Sequence, residues 1–260
     1  MRYLLKILII YIFTINFAFA GADGEVSFSK KTGEVKDCFE SVNRATFAFN
    51  QGLDNIIFEP LAKGYRLLPS PIRTGTSNVL GNLSNLVTIP NNILQGQIGS
   101  ASVNSLRLVI NSTIGILGIF DPASSLGLEE KSKEDYGQTF GKWGIGPGCY
   151  LVLPVLGPST VRDTAGSFVS FFGGDPWYNI TVRNDTHYVD DFEYYTSRVT
   201  NGVDFRARNL ESIENLEKNS MDFYASVKSL YLQDRQKKIA NSDTVTDTMD
   251  DEDWEEIETE

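Results

Sequence analysis

The chain of 260 residues has a single histidine, His187. A two-histidine metal site or a histidine cluster is therefore impossible. A Ser-His-Asp triad would have to use His187, which opens a charged helical stretch, and no G-x-S-x-G elbow is present to pair with it. His187 reads as an exposed or capping residue. Cysteine is nearly absent too. Cys38 and Cys149 are too few for a structural zinc site. In an exported compartment they allow one disulfide, and two separate half-buried thiols are the alternative. Basic charge is in deficit, with net charge −11. The basic face that neutralises nucleic-acid phosphates is missing, so no nucleic acid is expected as a partner. Gly144-x-Gly146-x-Gly148 fails as a dinucleotide loop. Its third glycine comes too early, Pro147 removes a phosphate-binding N–H, and no strand–helix pair flanks it. Glu129, Glu130, Glu134 and Asp135 cluster between lysines and read as a solvated loop rather than paired catalytic carboxylates. No cofactor, no metal and no enzymatic activity are expected.

The charge is unevenly spread. Arg2 and Lys6 precede an apolar run, Ile7–Phe19, that ends in Ala18-Phe19-Ala20 before Gly21. This pattern is a cleavable secretory signal peptide over residues 1–20, and the run falls short of the ~20 residues of a spanning helix. No cysteine follows the cleavage point, so lipid attachment there is not expected. Residues 241–260 hold ten acids and no base, which leaves residues 21–240 at only −3. Residues 21–36 read as a flexible leader, 37–238 as a helical domain and 239–260 as an acidic disordered tail. Trp254 and Ile257 inside the tail offer a docking point as the alternative to a plain solvated acidic tail, which the composition favours.

Within the domain, Asp37 and Glu40 form a capping-box pattern ahead of a helix that Pro60 should interrupt. Ser70-Pro71 starts a helix to about Leu83, and Pro90, Gly96 and Gly99 divide the apolar stretch 84–120. Ser100 caps a helix through Asn111. The run Ile114–Phe120 is apolar all round, so it is either deeply buried or faces lipid. Ser159 caps a helix to about Phe172. Helical spacing runs from Thr186 to Lys218 with Gly202 as a break, and Ser220 opens a last helix to about Lys238. Tyr136–Leu156 dominates the middle. Its glycines disfavour helix and strand alike, which predicts a pliable hairpin loop. Asn43-Arg44 and Arg162-Asp163 each place an arginine at a helix start beside an apolar segment. A guanidinium fork there suits a structural clamp better than a ligand contact.

These motifs resemble the MlaA/VacJ family of outer-membrane phospholipid-trafficking proteins. The likeness runs through Phe39-Glu40-Ser41-Val42-Asn43-Arg44, Pro71-x-Arg73-x-Gly75-x-Ser77-Asn78 and Asn111-Ser112-Thr113-x-Gly115. It continues through Phe120-Asp121-Pro122-Ala123, Asp135-Tyr136-Gly137-Gln138-Thr139, Trp143-Gly144-x-Gly146-x-Gly148-x-Tyr150 and Gly157-Pro158-Ser159-x-x-Arg162-Asp163. It covers about residues 37–235. The resemblance implies an all-α, ring-like domain of many short helices, lying in the periplasmic leaflet of the outer membrane. A central amphipathic channel would pass misplaced outer-leaflet phospholipid to a periplasmic lipid-carrier protein, with a porin trimer as partner. By the same resemblance, Trp143, Gly144, Gly146, Pro147, Gly148 and Tyr150 are the candidate gate beside that channel. Two departures stand out. Members of the family are typically anchored through a lipid on a cysteine after the signal peptide, which is not found here, so apolar segments alone would hold the chain to the membrane. Cys38 and Cys149 stand where the family usually carries proline, and this paired replacement implies a disulfide. A porin-associated scaffold that moves no lipid, and an envelope lipid hydrolase, are the competing readings.

Overall fold

The computed structural model describes residues 35–183 and 190–240. The expected signal peptide, the leader up to residue 34, His187 and the acidic tail from residue 241 lie outside the described residues. The described residues are mostly helical, with one two-stranded sheet.

Helix α1 (Glu40–Leu53) has Phe39 at its N-cap and no side-chain cap. The expected capping box does not form, because Asp37 has other partners. Its carboxylate accepts from Asn43 Nδ2 at 2.8 Å and from Tyr224 and Lys228 of the last helix. Nor does Pro60 interrupt the chain. A π-turn, Asp54–Phe58, leads directly into α2 (Glu59–Arg66), and the Glu59 N–H reaches back to the Asp54 carbonyl. The wider π spacing leaves Pro60 in the first turn of the next segment, where a missing N–H is tolerated. Arg206 grips Asp54 through Nε at 3.0 Å and Nη2 at 2.9 Å, which fixes the turn.

Helix α3 (Ser70–Leu94) is 25 residues long and passes through Pro90 instead of ending near Leu83. Interior proline costs about 3 kcal/mol, and tertiary packing offsets it. Helix α4 (Ile98–Thr113) turns back along α3 after a short connection in which Gly96 has φ +77°. Asn104 donates to Asn92 at 2.9 Å, and Asn92 to Gln97 at 2.9 Å, stitching the two helices together. A short α5 (Pro122–Ser125) follows, capped by Asp121.

The central stretch departs from the expected loop. Its first third is a helix, α6 (Tyr136–Lys142). Two of its glycines are there for close packing: a Cβ on Gly137 would lie 2.6 Å from Asp163 Oδ1, and one on Gly141 would lie 2.7 Å from Ile239. Residues 143–149 form a loop. The hairpin itself comes later, as β1 (Tyr150–Leu153) paired antiparallel with β2 (Gly157–Thr160), Tyr150 opposite Thr160 and Leu153 opposite Gly157. Strand β1 forms where the loop glycines end, and β2 opens on Gly157. Thr160 rather than Ser159 caps α7 (Val161–Val169), accepting from the Asp163 N–H at 3.2 Å. After α8 (Pro176–Tyr178), helix α9 (Asp191–Arg208) continues through Gly202 and stops at Asn209, followed by α10 (Leu210–Asn219) and α11 (Phe223–Ala240).

The apolar core is small. Tyr150, Val152 and Tyr224 are buried together, with Phe47, Tyr231 and Leu232 packed against them. Its rings meet edge-to-face, for example Tyr150 and Tyr224 with centroids 6.1 Å apart, a geometry that adds to simple burial.

Candidate functional site

Helix α3 buries the wrong kind of face for a water-soluble protein. Asn78, Asn82, Asn85 and Asn92 recur at spacings of four, three and seven, which places them on one side of the helix. Asn82, Asn85, Thr88, Asn91 and Asn92 are buried, and Asn104, Arg107 and Asn111 of α4 are buried beside them. A cleft of about 1060 Å³ runs along this polar side, lined among others by Asn78, Asn82, Asn85, Arg107, Lys133 and Arg208. Buried polar atoms are costly unless paired, and most of these are paired. Arg107 holds Asp121 at 2.8 Å and Ser124 at 3.0 Å, and donates to the Leu128 carbonyl. Burial pushes the Asp121 carboxyl up, but hydrogen bonds from Ser124, Asn111 and Arg107 outweigh it and hold it down at about 2.

Of the acidic cluster 129–135, Glu129 and Glu130 are exposed as the sequence suggests, but Glu134 is buried and the segment packs onto α3. Lys133 Nζ donates to the Gly81 carbonyl at 3.0 Å and to Asn85 at 2.8 Å, and pairs with Glu130 at 2.7 Å. Burial lowers the Lys133 pKa. Glu134 is buried, accepts from Gln95 at 2.8 Å, and is pushed up by burial. The segment packs onto α3 because the buried amides offer it partners. Sequence reasoning missed this wall, since residues 84–120 average out as apolar. The spacing of the asparagines was the available signal.

The outside is apolar. Ile114, Ile116, Leu117, Ile119 and Phe120 are all exposed, Leu117 at 73%. Of the two alternatives for this run, burial is excluded. Ile116 and Leu117 have φ of +53° and +56°, followed by Gly118 at +94°. Left-handed backbone at a non-glycine residue costs roughly 1–2 kcal/mol. The turn is nonetheless firmly held. Leu117 N–H bonds the Ser112 carbonyl at 3.1 Å and Phe120 N–H the Gly115 carbonyl at 2.9 Å, while Asn78 donates to the Ile119 carbonyl at 3.1 Å. A strained backbone thus holds five apolar side chains outward. Phe168, Phe171 and Phe172 form a second exposed group, with the Phe168 and Phe172 rings stacked at 5.7 Å. Exposed hydroxyls on the helices are satisfied internally: Thr46, Thr76, Ser102, Thr113 and Thr200 each donate to the carbonyl four residues back. Such back-bonding is what polar groups on a lipid-facing helix require. No helix among the described residues is long and apolar enough to cross a membrane.

The candidate gate divides into two parts. Trp143 is exposed, with Nε1 donating to the Leu94 carbonyl at 2.9 Å. Gly144 and Gly148 have φ of +90° and +68°, which favours glycine at both ends of the loop, and a Cβ on Gly146 would meet only open space. The Pro147 carbonyl accepts from Arg162 N–H at 3.1 Å. Tyr150 lies apart from the exposed loop residues of the candidate gate. It is 0% exposed, the centre of the aromatic core, because strand pairing turns its ring inward. Cys38 and Cys149 form a disulfide with Cα atoms 5.6 Å apart, and Tyr150 N–H donates to the Lys36 carbonyl at 2.9 Å. The loop exit is therefore fastened to the segment ahead of α1. Replacing both cysteines by serine should lower stability by about 2–4 kcal/mol, measurable by denaturant unfolding under non-reducing conditions.

The arginine pairs sit at the joints around this loop. Asn43 is buried and donates to the Tyr150 carbonyl at 3.0 Å while accepting from Val152 N–H at 2.9 Å, so its amide extends the ladder of β1. Arg44 is on the surface, bonded to Glu40 and Asp222 and lying 4.4 Å over the Tyr224 ring. Arg162 and Asp163 are buried and paired at 3.0 Å. Arg235 of α11 reaches Asp163 at 2.9 Å and Asp135 at 2.6 Å. Tyr231 donates to Asp163 at 2.7 Å. Sequence reading paired Arg162 with Asp163 and overlooked Arg235, which is 72 residues further on.

Polar side chains turned inward and apolar ones turned outward define a class of helical protein suited to a membrane surface. The chain belongs to the MlaA lipoprotein family, whose family model matches residues 35–238. An uncharacterized protein of Rickettsia prowazekii is 33% identical over 207 residues, covering 79% of each chain. The intermembrane phospholipid transport system lipoprotein MlaA of Escherichia coli K12 is 31% identical over 210 residues, covering 79% of this chain and 78% of its own length. A solved structure described as the structural basis for maintenance of bacterial outer membrane lipid asymmetry superposes with a TM-score of 0.67 at 29% identity. It covers 78% of this chain and 99% of its own.

Proposed function

We propose that this protein is the outer-membrane component of an intermembrane phospholipid transport system. It takes misplaced phospholipid from the outer leaflet, passes it along the polar cleft to a soluble periplasmic carrier, and so keeps the membrane asymmetric. A porin trimer holds it in place. The protein moves lipid without catalysing a reaction. The carrying observation is the inverted polarity: an amide-lined cleft inside and apolar side chains outside. Headgroups are served by the first and surrounding acyl chains by the second. The apolar surface attaches the protein to the periplasmic leaflet. The loop 143–148 acts as the gate, hinged at Gly144 and clamped by Asn43, Arg44, Arg162 and Asp163 around its exit.

Deleting the gene should cause phospholipid to accumulate in the outer leaflet, and the wild-type gene should reverse this. Unchanged outer-leaflet phospholipid in the deletion strain would refute the proposal. The attachment has its own test. Ile116→Asp with Leu117→Asp replaces two strained apolar residues by one that tolerates positive φ. Each buried side chain contributes about 1.5–3 kcal/mol. The variant should float with phospholipid vesicles at least about tenfold less while its thermal midpoint stays level or rises.

A further inference from the structure

We infer that the cleft receives a zwitterionic headgroup through Lys131 and Glu129: a phosphate with a primary ammonium beside it, as in phosphatidylethanolamine. This rests on the transport function proposed above and adds the chemistry of the lipid. Most charges on the cleft wall are already spent. Arg107 holds Asp121 at 2.8 Å, Lys133 holds Glu130 at 2.7 Å, and Arg208 pairs with Asp204 at 3.0 Å. Lys238 pairs with Asp234 at 2.8 Å, and Lys237 is engaged as well. An ammonium has three donors, and Lys133 also gives to the Gly81 carbonyl and to Asn85. Glu129 and Lys131 line the same cleft, and the side chain of neither makes a hydrogen bond or ion pair among the described residues. The wall therefore offers a ligand one acid and one base.

The chain that carries the two residues is fastened on both sides. Arg107 donates to the Leu128 carbonyl just ahead of Glu129, and Lys133 ties the chain to α3 two residues after Lys131. A segment held in this way loses little freedom when it binds. Glu129 is exposed and Lys131 half-buried, so a ligand in the cleft can reach both. Two residues of chain span at most about 7 Å. Their long side chains bridge the difference from the two-carbon spacing between phosphate and ammonium in a phosphoethanolamine group. The phosphate accepts from the Lys131 ammonium, and the lipid's own ammonium donates to the Glu129 carboxylate. Both charges are then answered. An anionic phospholipid such as phosphatidylglycerol answers Lys131 alone and brings negative charge beside Glu129, which repels it. Charge pairs near solvent are individually weak, so the discrimination is a few-fold rather than absolute.

The test mixes the purified full chain with vesicles of equimolar phosphatidylethanolamine and phosphatidylglycerol, re-isolates the protein and quantifies bound lipid by mass spectrometry. Phosphatidylethanolamine should exceed phosphatidylglycerol at least about threefold. Glu129→Lys should reverse that order, and Lys131→Gln should lower both lipids at least about threefold. Both variants should keep the wild-type thermal midpoint, because neither side chain has a partner to lose. Equal amounts of the two lipids on the wild type, or an unchanged ratio in Glu129→Lys, would overturn the inference and leave the transport function standing. If neither lipid is bound, the transport function falls and this inference falls with it. Free O-phosphoethanolamine separates a lipid headgroup from a soluble zwitterion. Binding of the free compound as tight as that of the lipid would overturn the assignment to a headgroup.

Discussion

Arg235→Met should destabilise the body by about 3–5 kcal/mol, the usual result of removing one partner from a buried ion pair. The guanidinium bridges Asp135 and Asp163: Nη1 to Asp135 Oδ2 at 2.6 Å, Nη2 to Asp135 Oδ1 at 3.0 Å and to Asp163 Oδ1 at 2.9 Å. Most of the loss comes from Asp163, which is buried and keeps only Arg162 and Tyr231 once Arg235 is gone. The half-exposed Asp135 contributes less, because water screens it. The effect carries a pH signature. Burial raises the Asp135 carboxyl, but hydrogen bonds and charge from Arg235 outweigh it and hold the group at about 2. Asp163 is lowered by the same guanidinium against the same burial. A depressed carboxylate contributes its stability above the unfolded value, near 4, and loses it as pH falls through the folded one. The gap between wild type and Arg235→Met should therefore be full at pH 6 and close between about pH 4 and pH 2. Urea unfolding of both proteins across that range checks it. A gap independent of pH would mean that the methionine acts through packing alone.

Gly81→Phe should abolish lipid passage without harming the fold. Gly81 lies inside α3 and lines the cleft, and its nearest neighbour across the space is Glu130 Oε1, 3.8 Å from where a Cβ would stand. Its carbonyl accepts from Lys133 at 3.0 Å and is unaffected by the side chain. A phenylalanine ring projects into the cleft, and leaving glycine recovers roughly 0.3–0.5 kcal/mol of helix propensity. A deletion strain carrying this variant should show outer-leaflet phospholipid at the deletion level, with protein amount and thermal midpoint close to wild type. Gly52→Phe, on α1, where a Cβ would meet nothing within 4 Å, serves as the control and should complement fully. A scaffold that only binds a porin would tolerate both changes.

Much of the fold can be read from local sequence, and the rest depends on partners far along the chain. Helix identity was legible because spacing and capping residues are local. Pro60 and Pro90 misled because a π-turn held by Arg206 and the packing of α4 on α3 override a local penalty. Asp37 looks like a cap only until Tyr224 and Lys228 arrive from α11. The glycines of 136–148 carry two meanings that composition merges. Gly137 and Gly141 permit close packing in a helix, while Gly144 and Gly148 supply positive φ in a loop. The wall of the cleft escaped notice because a polar stripe on a buried helix face reverses the usual expectation. Ile114–Phe120 could be assigned to core or lipid only after the structure showed it exposed.

The most direct test is photo-cross-linking with phospholipids carrying a diazirine either on the headgroup or at the end of an acyl chain, in membranes containing the full protein. The account predicts that headgroup probes label the cleft around Ser77, Asn78 and Gly81, and that acyl probes label Ile116, Leu117 and Phe171. Headgroup labelling confined to the outer surface, with the cleft unlabelled, would contradict it.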